Sequence, residues 1–416
     1  MTLYRFRLVT AAALFALLAF AVLAFGAVDV WARMVLEVGA FVLAAVWIGR
    51  LALTKSALEW NPFYVPLGLA VAWTAAQYAL GLSVDSYRTR EELLKWLALG
   101  LLFAVACQCF ADESIRKRFS QALLWFGFAL CVFGVAQHFT STQLLYWSIP
   151  LPAGRPFGPF VNGNHFAAFM ELLIPAALTM ALRRSEQQMI YAVVFGVMVA
   201  AVVLTGSRAG AGVVAAESLV VLGVHGWRRS ASGRRGRRVW LPVAGLAAAA
   251  GIALAVAGAE RLRIRFEEQN PYARRWEVAR ATWRLFLQQP LRGYGAGVFA
   301  QVYPSASLQD DGRFWSHAHN DPLQFLLEWG VVGLAVMGGM LTLLLRRRWP
   351  RAVWLNVVLP AGAVLVHSWF DFPLQIPAVL AAWLLTLAQA VPATRGLLRE
   401  AAPAMADLAR LTKDRT

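Results

Sequence analysis

Apolar runs of about the length that crosses a bilayer, ~20 residues, alternate along the chain with short clusters of arginine and lysine. They lie at residues 8–27, 34–49, 62–80, 93–110, 119–138, 165–182, 189–204, 210–224, 239–258, 322–345, 352–369 and 373–391, the seventh and eighth being short. Lipid cannot satisfy backbone N–H and C=O groups, so runs of this kind must close their hydrogen bonds internally and predict helices rather than open sheet. The pattern therefore predicts an all-α fold, a polytopic helical bundle with about twelve transmembrane helices. No linker or fixed-period repeat divides it, so residues 1–416 read as one integral membrane domain. The longest polar interruption, residues 258–321, forms a large loop between the ninth and tenth helices.

Composition supports the same class. Hydrophobic residues make up 59% of the chain and charged ones 15%, with a mean hydropathy of +0.56, which excludes a soluble domain with an ordinary polar surface. The seventeen tryptophans suit interfacial belts. A net charge of +16 suggests nucleic acid at first sight, but the basic residues sit in clusters between apolar runs rather than on one face. The positive-inside rule explains them better and puts both termini in the cytoplasm. Residues 1–27 have the basic start of a signal peptide, yet the apolar stretch is long enough for a retained first helix. Cys107, Cys109 and Cys131 lie in apolar runs and read as packing residues.

That orientation gathers segments 84–92, 139–164, 205–209, 258–321 and the turn at Asp371 on the opposite, non-cytoplasmic face, where the polar chemistry concentrates. In Asn320-Asp321-Pro322 cap-type residues precede a proline suited to the first turn of a helix. His319 then lies beside a helix N-terminus, where a neutral imidazole can act as general base; a capping histidine at the membrane interface explains it equally simply. His317 is the weaker candidate.

Residues 272–289 predict an amphipathic helix with Trp276, Ala279, Trp283, Phe286 and Leu287 on one side, resting on the bilayer. Arg274, Arg275, Arg280 and Arg284 surround the rest and meet either lipid phosphates or a substrate phosphate. Pro290 ends this helix, and Gly293, Gly295 and Gly297 predict a flexible turn. Arg208, in a sharp turn between short apolar runs, must snorkel or find an anion. Segment 155–165 is irregular, with Asn162, Asn164 and His165 able either to bind a hydroxyl-rich ligand or to cap the next helix, and capping is preferred for Asn164. Glu328, acidic within an apolar segment, is expected to pair with an arginine.

Taken together, Gly206-Ser207-Arg208, Arg275-Trp276, Pro290-Leu291-Arg292-Gly293-Tyr294-Gly295 and His319-Asn320 continuing through Leu323, Glu328, Gly330 and Gly333 resemble the O-antigen ligase family and its related O-antigen polymerases and protein O-oligosaccharyltransferases. The resemblance covers residues 155–333 and implies an integral glycosyltransferase of lipopolysaccharide biosynthesis in the bacterial inner membrane, active at the periplasmic face. It implies an undecaprenyl-pyrophosphate-linked glycan as donor and, for a ligase, lipid A-core as acceptor. Carried onto this chain it makes His319, Arg208 and Arg275 the catalytic group, the arginines on the pyrophosphate and His319 assisting the acceptor hydroxyl. Arg155, Asn162, Asn164, His317, Asn320 and Arg292 stand beside them as substrate-binding candidates.

A sugar pyrophosphate already carries a good leaving group, so positioning and charge stabilisation are the main tasks and arginines can perform them. A metal-independent enzyme without cofactor is expected, with Asp310-Asp311 solvated. Membrane lipids are the remaining partners, and nucleic acid is not one. The twelfth run is followed by no extra soluble domain, which favours a lipid A-core acceptor over a protein. A transporter of lipid-linked substrate is the competing class, predicting ionisable groups deep in the membrane and internal symmetry.

Overall fold

The computed structural model describes residues 2–54, 58–141, 144–151, 155–183, 185–231, 273–306, 314–346 and 349–390. The expected ninth span, the Asp310-Asp311 pair and loop residues 258–272 lie outside the described residues. The described chain is mostly helical, with irregular connections and a two-rung hairpin, β1 (Leu144–Leu145) and β2 (Ile149–Pro150).

Nine α-helices are described before residue 232: α1 (Leu3–Leu23), α2 (Val30–Thr54), α3 (Tyr64–Ala79), α4 (Ser86–Phe110), α5 (Glu113–Thr140), α6 (Gly163–Glu171), α7 (Ile174–Ala181), α8 (Gln188–Leu204) and α9 (Arg208–Ala231). Beyond it come α10 (Ala273–Gln288), α11 (Asp321–Trp329), α12 (Val331–Arg346), α13 (Leu359–His367) and α14 (Pro377–Ala388). Their starts are written in the sequence. Asp85 accepts the Arg88 amide at 3.1 Å to open α4, and Asp112 accepts those of Ser114 and Ile115 at 2.9 and 3.2 Å to open α5.

Five described helices are long and apolar enough to cross a membrane, six with the bent pair α6–α7, and several shorter apolar helices accompany them. The protein is thus an integral membrane protein. Every residue of α14 is buried, so this last helix runs through the middle of the bundle, packed against α1, α4, α6 and α13.

Two of the expected spans are broken. α6 and α7 meet at 45°, where Pro175 in the first turn of α7 removes a donor. α11 and α12 part at Gly330, whose φ of 61° no continuous right-handed helix allows. The Gly330 break lies at the end of the bundle where the polar segments meet, the Val331 amide donating to the Pro290 carbonyl at 2.8 Å. There the Val84 amide donates to the Tyr294 carbonyl at 2.9 Å, and Gln77 Nε2 donates to the carbonyls of Arg292 and Glu328, both at 2.8 Å. Above the main core, Val278, Ala281 and Leu285 of α10 form a small second core with Tyr294, Val298, Phe299 and Leu327.

Candidate functional site

His319 closes the polar segment before α11 with a φ of 52°, a left-handed conformation that costs a non-glycine residue about 1–2 kcal/mol. Its neighbours hold it there. The Ala318 amide donates to Gln324 Oε1 at 3.0 Å, and the Asn320 side chain accepts the Leu323 amide at 2.9 Å, capping α11 as its sequence predicts. Asn320 Nδ2 also donates to the Trp369 carbonyl at 3.0 Å. The Asp321 amide donates to the Ser368 carbonyl at 2.9 Å. The start of α11 is therefore sewn to the turn that follows α13.

That turn carries Asp371, which sequence reasoning placed on the right face without giving it a role. Its carboxylate is 1% exposed and collects the site. Oδ1 receives His319 Nδ1 at 3.1 Å and the Phe372 amide at 3.0 Å. Oδ2 receives Asn164 Nδ2 and lies 3.6 Å from an Arg275 nitrogen. Burial by itself would raise the Asp371 pKa. The His319 hydrogen bond and charge and the Arg275 guanidinium outweigh it and hold the carboxyl far below its usual range. An ionised carboxylate only accepts, so His319 Nδ1 is the donor of this bond and Nε2 is the ring nitrogen left outside it.

Arg275 is further anchored by donating to the Phe370 carbonyl. With five N–H groups, guanidinium retains donors for an anion. His319 and Arg275 both line a cavity of about 1220 Å³ with Trp276, Trp283, Leu323, Leu326, Val366 and Trp369. An apolar slot with an imidazole and Arg275, Arg280 and Arg284 on its wall can hold a lipid chain while its polar head meets them.

The other predicted residues fall into four groups. Asn164, expected to cap, instead reaches Asp371, while Asn162 is the cap, accepting the Asn164 amide at 3.0 Å. His317 stacks on Phe372 with centroids 4.3 Å apart; burial, with Lys95 nearby, lowers its pKa to about 3. Arg208 opens α9 on the adjoining turn, which is pressed against α6 because Gly163 leaves no room beside Thr205 for a side chain. Arg155 contributes its carbonyl to the Gly163 amide at 2.9 Å and Arg292 donates to Gln289 at 2.9 Å. Both side chains stay exposed and outside the cavity wall.

Three local expectations are corrected. The bilayer face expected of α10 is divided: Phe286 turns inward, 9% exposed, while Trp276, Ala279 and Trp283 line the cavity. Among the described residues Glu328 pairs with no arginine; it accepts Gln324 Nε2 at 2.9 Å and the Gly297 amide at 2.9 Å. The glycine turn is packed rather than flexible. A Cβ at Gly293 would sit 2.4 Å from the Glu328 carbonyl oxygen, so backbone approaches backbone there.

Residues 193–338 match the family model for O-antigen ligase. The match contains Arg208, Arg275, Arg292, His317, His319 and Asn320, and bears out the family resemblance. It stops short of Asn164 on one side and Asp371 on the other. No curated protein matches the chain. Family and fold together support a membrane-embedded glycosyltransferase of the O-antigen ligase and polymerase type.

Proposed function

We propose, with the O-antigen ligase match as premise, that this protein transfers a glycan from an undecaprenyl-pyrophosphate carrier to lipid A-core at the periplasmic face of the bacterial inner membrane. The observation that carries the proposal is the Arg275–Asp371–His319 group on an apolar cavity. It combines a base, a carboxylate that orients it and a guanidinium beside a slot suited to a lipid.

In the proposed reaction the acceptor hydroxyl oxygen forms a bond to the anomeric carbon of the donor sugar. The bond from that carbon to the pyrophosphate oxygen breaks, and its electron pair leaves on the carrier pyrophosphate. The hydroxyl proton passes to His319 Nε2, the nitrogen left free by the Nδ1 bond to Asp371. Arg275, with Arg208 from the adjoining turn, offsets the charge that grows on the leaving group. Asn164 keeps Asp371 aimed at His319, and Asn320 and His317 border the acceptor side. Guanidinium groups take the role a metal ion would otherwise play, so the enzyme is proposed to be metal-independent.

The test is glycan transfer by the purified protein from carrier-linked donor to lipid A-core, to a second carrier-linked glycan or to a serine-containing peptide, with and without chelator. Product on lipid A-core, unaffected by chelator, is expected. His319→Ala should cost on the order of 10²–10⁴-fold, and an undiminished rate in that variant would remove the assigned base. Product on another acceptor alone would replace the ligase with a polymerase or a protein transferase.

One observation favours a transporter. Glu171, Glu217 and His367 are buried within membrane helices, where ionisable groups often mark a path. Movement of carrier-linked glycan across sealed vesicles without covalent product would establish that class instead.

A further inference from the structure

We propose that His367 and Glu171 are positioning residues that set Asp371, and through it His319, an inference that rests on the glycosyl-transfer proposal. The two side chains are fully buried and joined, His367 Nδ1 to Glu171 Oε1, at 2.6 Å. They link the last residue of α13 to the last residue of α6. The His367 carbonyl in turn accepts the amides of Phe370 at 2.9 Å and Asp371 at 3.2 Å. The residue whose side chain is pinned to α6 thus holds, through its backbone, the turn that presents Asp371 to His319 and the Phe370 carbonyl to Arg275.

α6 grips this turn twice. Asn164 near its start donates to Asp371, and Glu171 at its end binds His367, two helical turns further along the same element. Two rungs on one rigid helix fix the height and the rotation of the 367–371 segment relative to α6, beside the bonds that tie Ser368 and Trp369 to the start of α11. The purpose is not packing, because an ionisable pair in a membrane interior is a poor substitute for two apolar side chains. The surroundings are themselves polar. Glu217 of α9 has no partner for either carboxyl oxygen among the described residues, and His367 Nε2 and Glu171 Oε2 also lack one. Asp371, Arg275 and His165 are the other charged or titratable groups around His367.

The experiment compares full-length wild type with Glu171→Gln, His367→Gln and the apolar pair Glu171→Leu/His367→Leu, all purified in the same detergent. Two readouts are taken: steady-state glycan transfer, and the rate at which diethylpyrocarbonate modifies His319, followed by mass spectrometry. Each variant is expected to lose at least tenfold in kcat with donor KM within twofold. Modification of His319 should rise at least threefold as its ring loses a well-placed Asp371. The apolar pair should show these losses while melting no lower than wild type, which separates positioning from folding. An apolar pair with wild-type kcat and an unchanged His319 modification rate would overturn the proposal. Should wild type transfer glycan to no acceptor, the functional proposal fails by itself. The modification rates still decide positioning: a threefold rise upholds it and an unchanged rate overturns it.

Discussion

Asp371 holds its charge in a nearly water-free position because three donors and a guanidinium converge on two oxygens. Asp371→Asn keeps the shape but removes the ionised acceptor that assigns the His319 proton to Nδ1. In the proposed reaction this should lower kcat by on the order of 10²-fold or more; a rate within a factor of three of wild type would show that His319 needs no orienting carboxylate. Arg275→Lys keeps the charge and loses the planar fork, so it should impair turnover more than it impairs protein yield.

A second residue-scale effect concerns acid. His317 is pushed down to about 3 in the folded protein, against ~6.5 in an unfolded chain. Below the unfolded value the unfolded chain binds the extra proton, so the stability this residue supplies is complete above pH ~6.5 and is lost as pH falls toward the folded value. Melting temperature should therefore drop between pH 7 and pH 4, with a shallower drop in His317→Gln; parallel curves would contradict the assignment.

Single elements show how local patterns acquire two faces. α10 reads as one amphipathic stripe, yet its apolar residues divide between a packed side, Val278, Ala281 and Leu285, and a cavity side, Trp276 and Trp283. The two sides predict different losses. Leu285→Ala should destabilise by about 2–5 kcal/mol and lower the melting temperature. Trp283→Ala, 47% exposed, should leave melting nearly unchanged and raise the donor KM; the reverse outcome would mean that the cavity holds no lipid. Gly330 joins α11 to α12 at φ 61°, where an added Cβ would lie 2.6 Å from the carbonyl oxygens of Pro290 and Leu291. Gly330→Ala should thus cost more than about 1 kcal/mol, read as a lower melting temperature together with weakened glycan transfer.

At the scale of the molecule the polar segments come together at one end of the bundle, and the distribution of basic residues predicts which side of the membrane that end faces. The native thiols of Cys107, Cys109 and Cys131 are buried, so a single introduced cysteine reports cleanly. A membrane-impermeant maleimide added to intact inner-membrane-exposed cells should label Arg155→Cys, at the site end, and reach Lys117→Cys only after permeabilisation. The opposite pattern would invert the proposed topology.

Much of this was legible in the chain alone, because it depends on neighbours in sequence. Apolar length sets the membrane helices, Asn320-Asp321-Pro322 sets the start of α11 beside His319, and the arginine and histidine motifs carry the family over residues 193–338. The helix breaks at Leu172–Leu173 and Gly330 were not, since the hydropathy of each span continues unbroken across them. Nor were the partners of the site. Asp371 is one acidic residue in a short turn, 52 positions from His319, and only the landing of α13 beside the start of α11 joins them. Asn162 and Asn164 are both plausible caps by sequence, and which one reaches Asp371 depends on how α6 is rotated in the bundle. The sequence by itself determined a membrane helical protein whose residues 193–338 match one family. Tertiary packing decided which carboxylate the histidine and arginine share, because buried charges choose their partners by distance in space, and local pattern carries no measure of it.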